Sequence, residues 1–190
     1  MKTLKINLLK TLFNLSLLVF LLPACTELSS STNETSVVDR PAVDIQTAVI
    51  SSNLEAVKQH IEAGADLNEK EPFSSSTPLI SAATFNKPEI VKALIDAGAN
   101  LSTKNNDGST ALHSAAFFGR VEIVQMLIDA EADKTLRNNF GATARESVMG
   151  PFADVKPIYE MLEQQLSPMG LQFDMNELEK TRPVVAMMLQ

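Results

Sequence analysis

A self-similarity of fixed period dominates the middle of this chain. Thr77-Pro78-Leu79-Ile80-Ser81-Ala82-Ala83 returns as Thr110-Ala111-Leu112-His113-Ser114-Ala115-Ala116, 33 positions later. Glu89-Ile90-Val91-Lys92-Ala93-Leu94-Ile95 returns in the same register as Glu122-Ile123-Val124-Gln125-Met126-Leu127-Ile128. An earlier and more degraded copy runs from Ile45-Gln46-Thr47-Ala48-Val49 to Gly64-Ala65-Asp66. It precedes Gly98-Ala99-Asn100 by one position more than the regular period, because one residue is added in the loop 69–76. A fourth start, Gly141-Ala142-Thr143-Ala144-Arg145, follows one regular period after the third. A fixed period of this length means one small supersecondary unit per copy, none able to bury its own apolar face and each covered by its neighbour.

The spacing within a copy gives the unit. Leu79, Ala82 and Ala83 stand at i, i+3 and i+4, a narrow apolar stripe on a short helix. Ile90, Val91, Leu94 and Ile95 form a second stripe, on a helix opened by Pro88 and Glu89. The alanine pairs let helices approach closely. Gly64 and Gly98 follow the second helix, where a left-handed residue is favoured, and Glu131 takes that place in the third copy. Asn106-Asp107-Gly108 is a turn signal that joins units through hairpin-like fingers, with Gly108 in a structural role.

These three consecutive copies resemble the ankyrin repeat, whose pattern is a turn with Gly, then T-P-L-H-x-A-A, then V-x-x-L-L-x-x-G-A, over roughly residues 42–165. The resemblance implies an all-α solenoid of helix-turn-helix repeats, at about 44–76, 77–109, 110–142 and a partial 143–165. It also implies that His113 hydrogen-bonds within and between repeats. The ends depart from the pattern as capping units should. His60 replaces the leucine of Leu94 and Leu127, while Arg145 and Glu146 replace Leu-His in the fourth unit. An insertion around residues 150–154 places that unit's second helix at about 157–165. The segment 166–190 carries Phe173, Met175, Leu178, Val184, Val185, Met188 and Leu189 at a helical period interrupted at Arg182-Pro183. It reads as a C-terminal cap of two short helices, or else as a partner-binding amphipathic segment.

The N-terminus is an address. Lys2, Lys5 and Lys10 precede the uncharged run 12–22, which is too short for a bilayer-crossing helix of about 20 residues. A positive segment, a short apolar run and a small residue make a signal peptide over 1–24. Leu22-Pro23-Ala24-Cys25 resembles the bacterial lipobox, which implies cleavage before Cys25 and acylation of that residue; an ordinary signal peptide followed by an incidental cysteine is the alternative. Thr26, where Asp would favour the inner membrane, points to an outer-membrane lipoprotein facing the periplasm of a bacterial cell envelope. The Ser/Thr/Asn-rich stretch after it, through residue 43, is too polar to bury and reads as a flexible tether. Cleavage would remove three lysines and no acid, taking the net charge from −7 to −10.

So acidic a chain, with no Trp and one Tyr, is a poor binder of nucleic acid. Two histidines and one cysteine leave no zinc spacing, and phosphate loops, nucleophile elbows and metalloprotease helices are missing from the sequence. No cofactor, metal or catalysis is expected. Ankyrin arrays bind proteins through finger tips and the inner face of the first helices. By position the tips here are residues 68–75, 103–107 and 136–140, carrying Phe73, Asn105, Asn106, Asn139 and Phe140. The inner face carries Ile80, Ser81, Thr84, Phe85, Ser114, Phe117 and Phe118; Phe85 and Phe118 read equally as anchors for a partner or as fillers of gaps between repeats, whereas Phe73, in a Pro-Phe-Ser-Ser-Ser loop, reads as exposed. The expected activity is therefore a lipid-anchored monomer that binds another protein, as an inhibitor, an immunity protein or a stabiliser of a periplasmic enzyme. The competing expectation is an envelope scaffold or spacer without one high-affinity client.

Overall fold

The structure, a computed structural model, describes residues 42–190. The signal peptide, Cys25 and the tether up to residue 41 lie outside the described residues. Among the described residues all regular structure is helical, and no helix is long and apolar enough to cross a membrane.

Three helix pairs repeat. α1 (Ile45–Ile50) and α2 (Leu54–Glu62) form the first, α3 (Pro78–Thr84) and α4 (Pro88–Asp96) the second, α5 (Ala111–Phe117) and α6 (Val121–Asp129) the third. Their starts are set locally. Asp44 Oδ1 accepts from Thr47 N at 2.9 Å, Asn53 Oδ1 from Ala56 N at 3.0 Å, and Thr77 Oγ1 from Ile80 N at 3.3 Å. Pro78 and Pro88 occupy first-turn positions, where a missing N–H removes no helical bond. First helices stack on first helices and second on second. The stripes meet in one aliphatic core, in which Val57, Ala82, Ala83, Val91, Leu94, Ala115, Ala116, Ile123, Val124 and Leu127 are fully buried. Each buried aliphatic side chain of Val or Leu size contributes about 1.5–3 kcal/mol.

Gly64 and Gly98 adopt φ of 71° and 83° after the second helices, and Glu131 takes φ 62° at the third such turn. A non-glycine residue there is strained by its Cβ.

The C-terminal third departs from the sequence-based expectation in three ways. The first helix of the fourth unit is a single 3-10 turn, Glu146–Val148. The next helix, α7 (Phe152–Leu166), starts earlier than residue 157 and carries Pro157 in its interior. Pro157 is exposed, and so is Ala153, whose carbonyl loses the bond that a non-proline N–H would make, so water can take it. The tail holds a 3-10 turn, Ser167–Met169, and one α-helix, α8 (Met175–Met188), which runs through Arg182-Pro183 without a break. Here too the proline is exposed and the carbonyl it leaves free belongs to the exposed Glu179.

It is α8, and not α7, that takes the second-helix place in the fourth unit, packing on α6, α5 and the first 3-10 turn. Leu178, Arg182, Val185 and Leu189 form its buried face, at i, i+4, i+7 and i+11. Val185 and Leu189 complete the aliphatic core, and Leu178 joins a second cluster. Gly119, in the turn before α6, is closely covered by α8: a Cβ there would stand 2.4 Å from Thr181 Oγ1 and 2.9 Å from Leu178 Cδ1.

Candidate functional site

Between the helix pairs run three fingers, each opened by a side chain that accepts from the backbone two residues on. Asp66 takes Asn68 N, Asn100 takes Ser102 N and Asp133 takes Thr135 N, at 2.8–2.9 Å. Each tip then folds around one acceptor. Asn105 Oδ1 receives Asp107 N at 3.0 Å and Ser109 N at 2.9 Å, and Asn138 Oδ1 receives Phe140 N at 3.0 Å and Ala142 N at 3.1 Å. Glu71 does the same work in the longer first finger, accepting from the amides of Phe73, Ser74 and Ser76. Sequence reasoning missed Glu71 and Asn138 as tip anchors; Asn138 stands one period after Asn105, and Glu71 one position more than a period before it, across the finger with the added residue.

The fingers are bonded to one another with the period of the repeat. Asn106 Nδ2 donates to Phe73 O at 2.9 Å and Asn139 Nδ2 to Asn106 O at 2.8 Å. Lys70 Nζ donates to Lys104 O at 2.7 Å and Lys104 Nζ to Arg137 O at 2.8 Å. Gly108 is needed for this contact, since a Cβ would sit 2.4 Å from Asn139 Oδ1. Of the asparagines expected as contacts for a partner, Asn106 and Asn139 are thus engaged in the ladder that holds the fingers together, and Asn105 in folding its own tip.

His113 also joins neighbouring units. Thr110 N donates to Nδ1 at 3.3 Å and the Thr110 hydroxyl lies 2.9 Å from the same atom, while Nε2 faces Ala142 O at 3.2 Å. A carbonyl only accepts, so Nε2 carries the proton and Nδ1 accepts. Burial lowers its pKa from the ordinary 6.5, and the nearby Lys104 charge adds to that.

The inner-face set is not an open surface. Ile80, Ser81, Ser114 and Phe118 are buried, and Thr84, Phe85 and Phe117 are half-buried. Ile80 belongs to the aliphatic core, and the cover over the aromatic members is α7 and the segment after it. Tyr159, fully buried, lies 4.6 Å from Phe117 between ring centroids, and Phe173 lies 6.0 Å from Phe118; Phe85 packs against the same cluster. Of the two readings of Phe118, the structure shows the ring that fills a gap, and Phe117, expected as a partner contact, is half-covered beside it. Tyr159 donates its hydroxyl to Phe117 O at 2.6 Å and accepts from Arg182 Nη1 at 2.8 Å. Burial pushes its pKa up, with Arg182 pulling the other way.

Of the aromatic residues expected to meet a partner, the two on the tips are exposed. Phe73 is 91% exposed and Phe140 is 81% exposed, with Asp107 exposed on the finger between them. Among the described residues no group of three or more His, Cys, Asp or Glu is placed to hold a metal ion.

The family description "Ankyrin repeats (3 copies)" matches residues 45–138. Those residues form an ankyrin-repeat array. The ankyrin repeat domain of Bcl-3, described as a unique member of the IkappaB protein family, is similar in structure. Its TM-score is 0.53 at 33% identity, over 54% of this chain and 45% of that one. Among curated proteins, protein phosphatase 1 regulatory subunit 27 of Homo sapiens is 38% identical over 64 residues, and its Mus musculus counterpart gives the same figures. The match spans 34% of this chain and 41% of those relatives. Ankyrin arrays are protein-interaction modules.

Proposed function

We propose that the ankyrin array binds another protein through its finger tips, with Phe73 and Phe140 as anchors. The observation that carries this reading is their exposure, 91% and 81%, on loops held by hydrogen bonds on either side of them. Large aromatic side chains lose little conformational freedom on binding and dominate interface energetics. A laddered backbone adds pre-organisation, so little ordering entropy is lost on association. The curated relatives are named as regulatory subunits, which suits an array that acts by holding another protein.

In this proposal Cys25 carries a lipid anchor at the periplasmic face of a bacterial outer membrane, and the client is an effector held inactive or an enzyme kept folded. The support is the sequence of residues 1–25. Several acyl chains, each adding about 0.8 kcal/mol per buried methylene, would give durable attachment. Replacing Cys25→Ser should move the protein from the membrane pellet to the soluble fraction; unchanged pelleting overturns the anchor. Replacing Phe73→Ser and Phe140→Ser together should abolish crosslinking to the co-purifying client. Client capture at the wild-type level would rule out the finger tips, and no captured client with the wild type would favour a spacer.

A further inference from the structure

Between the first 3-10 turn, the start of α7 and the C-terminal half of α8 lies a pocket of about 370 Å³, at the opposite end of the array from the first repeat. Two arginines line it. Arg182 is 2% exposed, and its guanidinium is met by neutral acceptors alone: the Tyr159 hydroxyl at 2.8 Å and the carbonyls of Gly150 and Ser147 at 3.3 and 3.5 Å. Arg145 gives its Nε to Ala186 O at 3.1 Å. Neither takes part in any of the three ion pairs among the described residues. A buried cation without a counter-charge is costly unless something compensates it. Among the lining side chains the two arginines face one carboxylate, on the exposed Glu179.

Apart from Gln190, the remaining side chains of the walls are apolar. Met149 and Met187 are 56% and 61% exposed and Phe152 is half-buried, so flexible thioethers and a ring border the cations. Methionine walls adapt to an aliphatic chain, and Arg145 has both Nη groups left for a bidentate carboxylate. The volume sits near the lower end of ligand pockets, which run about 300–1,000 Å³, and so favours a short chain over a long one.

We infer that this pocket binds a short amphipathic monocarboxylate, with the carboxylate on Arg145 beside Arg182 and the aliphatic chain against Met149, Met187 and Phe152. The site is independent of the finger tips. A free acid and a peptide C-terminus share this chemistry, and the size of the pocket selects the free acid.

The protein carries its own reporter. It has one Tyr and no Trp, and that Tyr159 accepts from Arg182. Octanoate titrated into the full chain should give saturable one-to-one heat in calorimetry and a parallel change in Tyr159 emission. Octan-1-ol should bind at least about tenfold more weakly and octylammonium not at all, because the charge-assisted bonds are lost. R145Q, with its melting temperature checked against wild type, should weaken octanoate about tenfold and leave octanol unaffected. The inference is overturned by an absence of saturable binding, by octanol matching octanoate, by R145Q matching wild type, or by heat without a Tyr159 response. A hexapeptide ending in a free leucine carboxylate that binds more tightly than octanoate overturns the assignment to a free acid.

Discussion

Where the second and third repeats meet, α3 and α5 bring together four alanines that are fully buried, Ala82, Ala83, Ala115 and Ala116. Where the array closes, the contact is made by Phe117, Phe118 and Phe173 around Tyr159, whose hydroxyl accepts from the buried Arg182. The repeats use small aliphatic residues in copies, so a helix can be laid on its translated image. The closing end has no image to pack on, and it fills the larger, irregular gap with rings that appear once. One consequence is energetic: the first region distributes its stability over equivalent interfaces, the second concentrates it in a few side chains.

The largest effect should follow from removing the centre of the second region. Tyr159→Ala deletes a fully buried ring and leaves Arg182 without its phenol, and should cost about 3–5 kcal/mol in urea unfolding. Hydrogen exchange should then show α7 and α8 losing protection while α3 and α4 keep theirs. Leu94→Ala, at about 2–5 kcal/mol, should lower protection on both sides of the array. Equal loss everywhere in both variants would mean that the two regions unfold as one unit.

A smaller difference is expected between two glycines at φ of 63° and 83°. Gly98→Ala meets open space and should cost the left-handed penalty alone, about 1–2 kcal/mol. Gly119→Ala must also displace Thr181 and Leu178. The excess at Gly119 should shrink in a Thr181→Ala background, and an unchanged excess would show that α8 does not press on that turn.

Next in size is a pH effect at His113. Its folded pKa is lowered, so the unfolded chain binds the proton more readily. Stability is fully present above about pH 6.5 and falls as pH drops through the window between that value and the lowered folded value. Thermal melts from pH 7.5 to 5.5 should show this slope in the wild type and a shallower one in His113→Gln. Smallest of all, Phe73→Ser with Phe140→Ser should leave stability within about 0.5 kcal/mol, since neither ring is packed in the fold. A marked drop in melting temperature would instead place the two rings within the folded core.

The same contrast decides what could be read in advance. α3 to α6 follow from the register of the repeat because every stripe and turn is stated twice, and an error in one copy is corrected by the other. α8 could not be placed that way. The insertion after Val148 breaks the register, and Pro157 and Pro183 read as helix boundaries although both face solvent, where the freed carbonyls of Ala153 and Glu179 cost little. At the site, the exposure of Phe73 follows from its Pro-Phe-Ser-Ser-Ser loop. The burial of Phe118 does not, because the Tyr159 and Phe173 that cover it come much later in the chain, past the last regular copy, and belong to no repeat. Asn106 and Asn139 look alike whether their amides meet a partner or the adjacent finger, and only the stacking distance separates the two.

The finger ladder bears on how such a chain lengthens. Lys104 and Asn106 each give a hydrogen bond to one neighbouring finger and take one, at backbone oxygen, from the other. A duplicated segment one period long, inserted between residues 109 and 110, would arrive with both halves of every bond already in place. Gene duplication could therefore extend the array by whole units while the two unlike ends stay as they are, and the separation between Phe73 and Phe140 would grow in fixed steps.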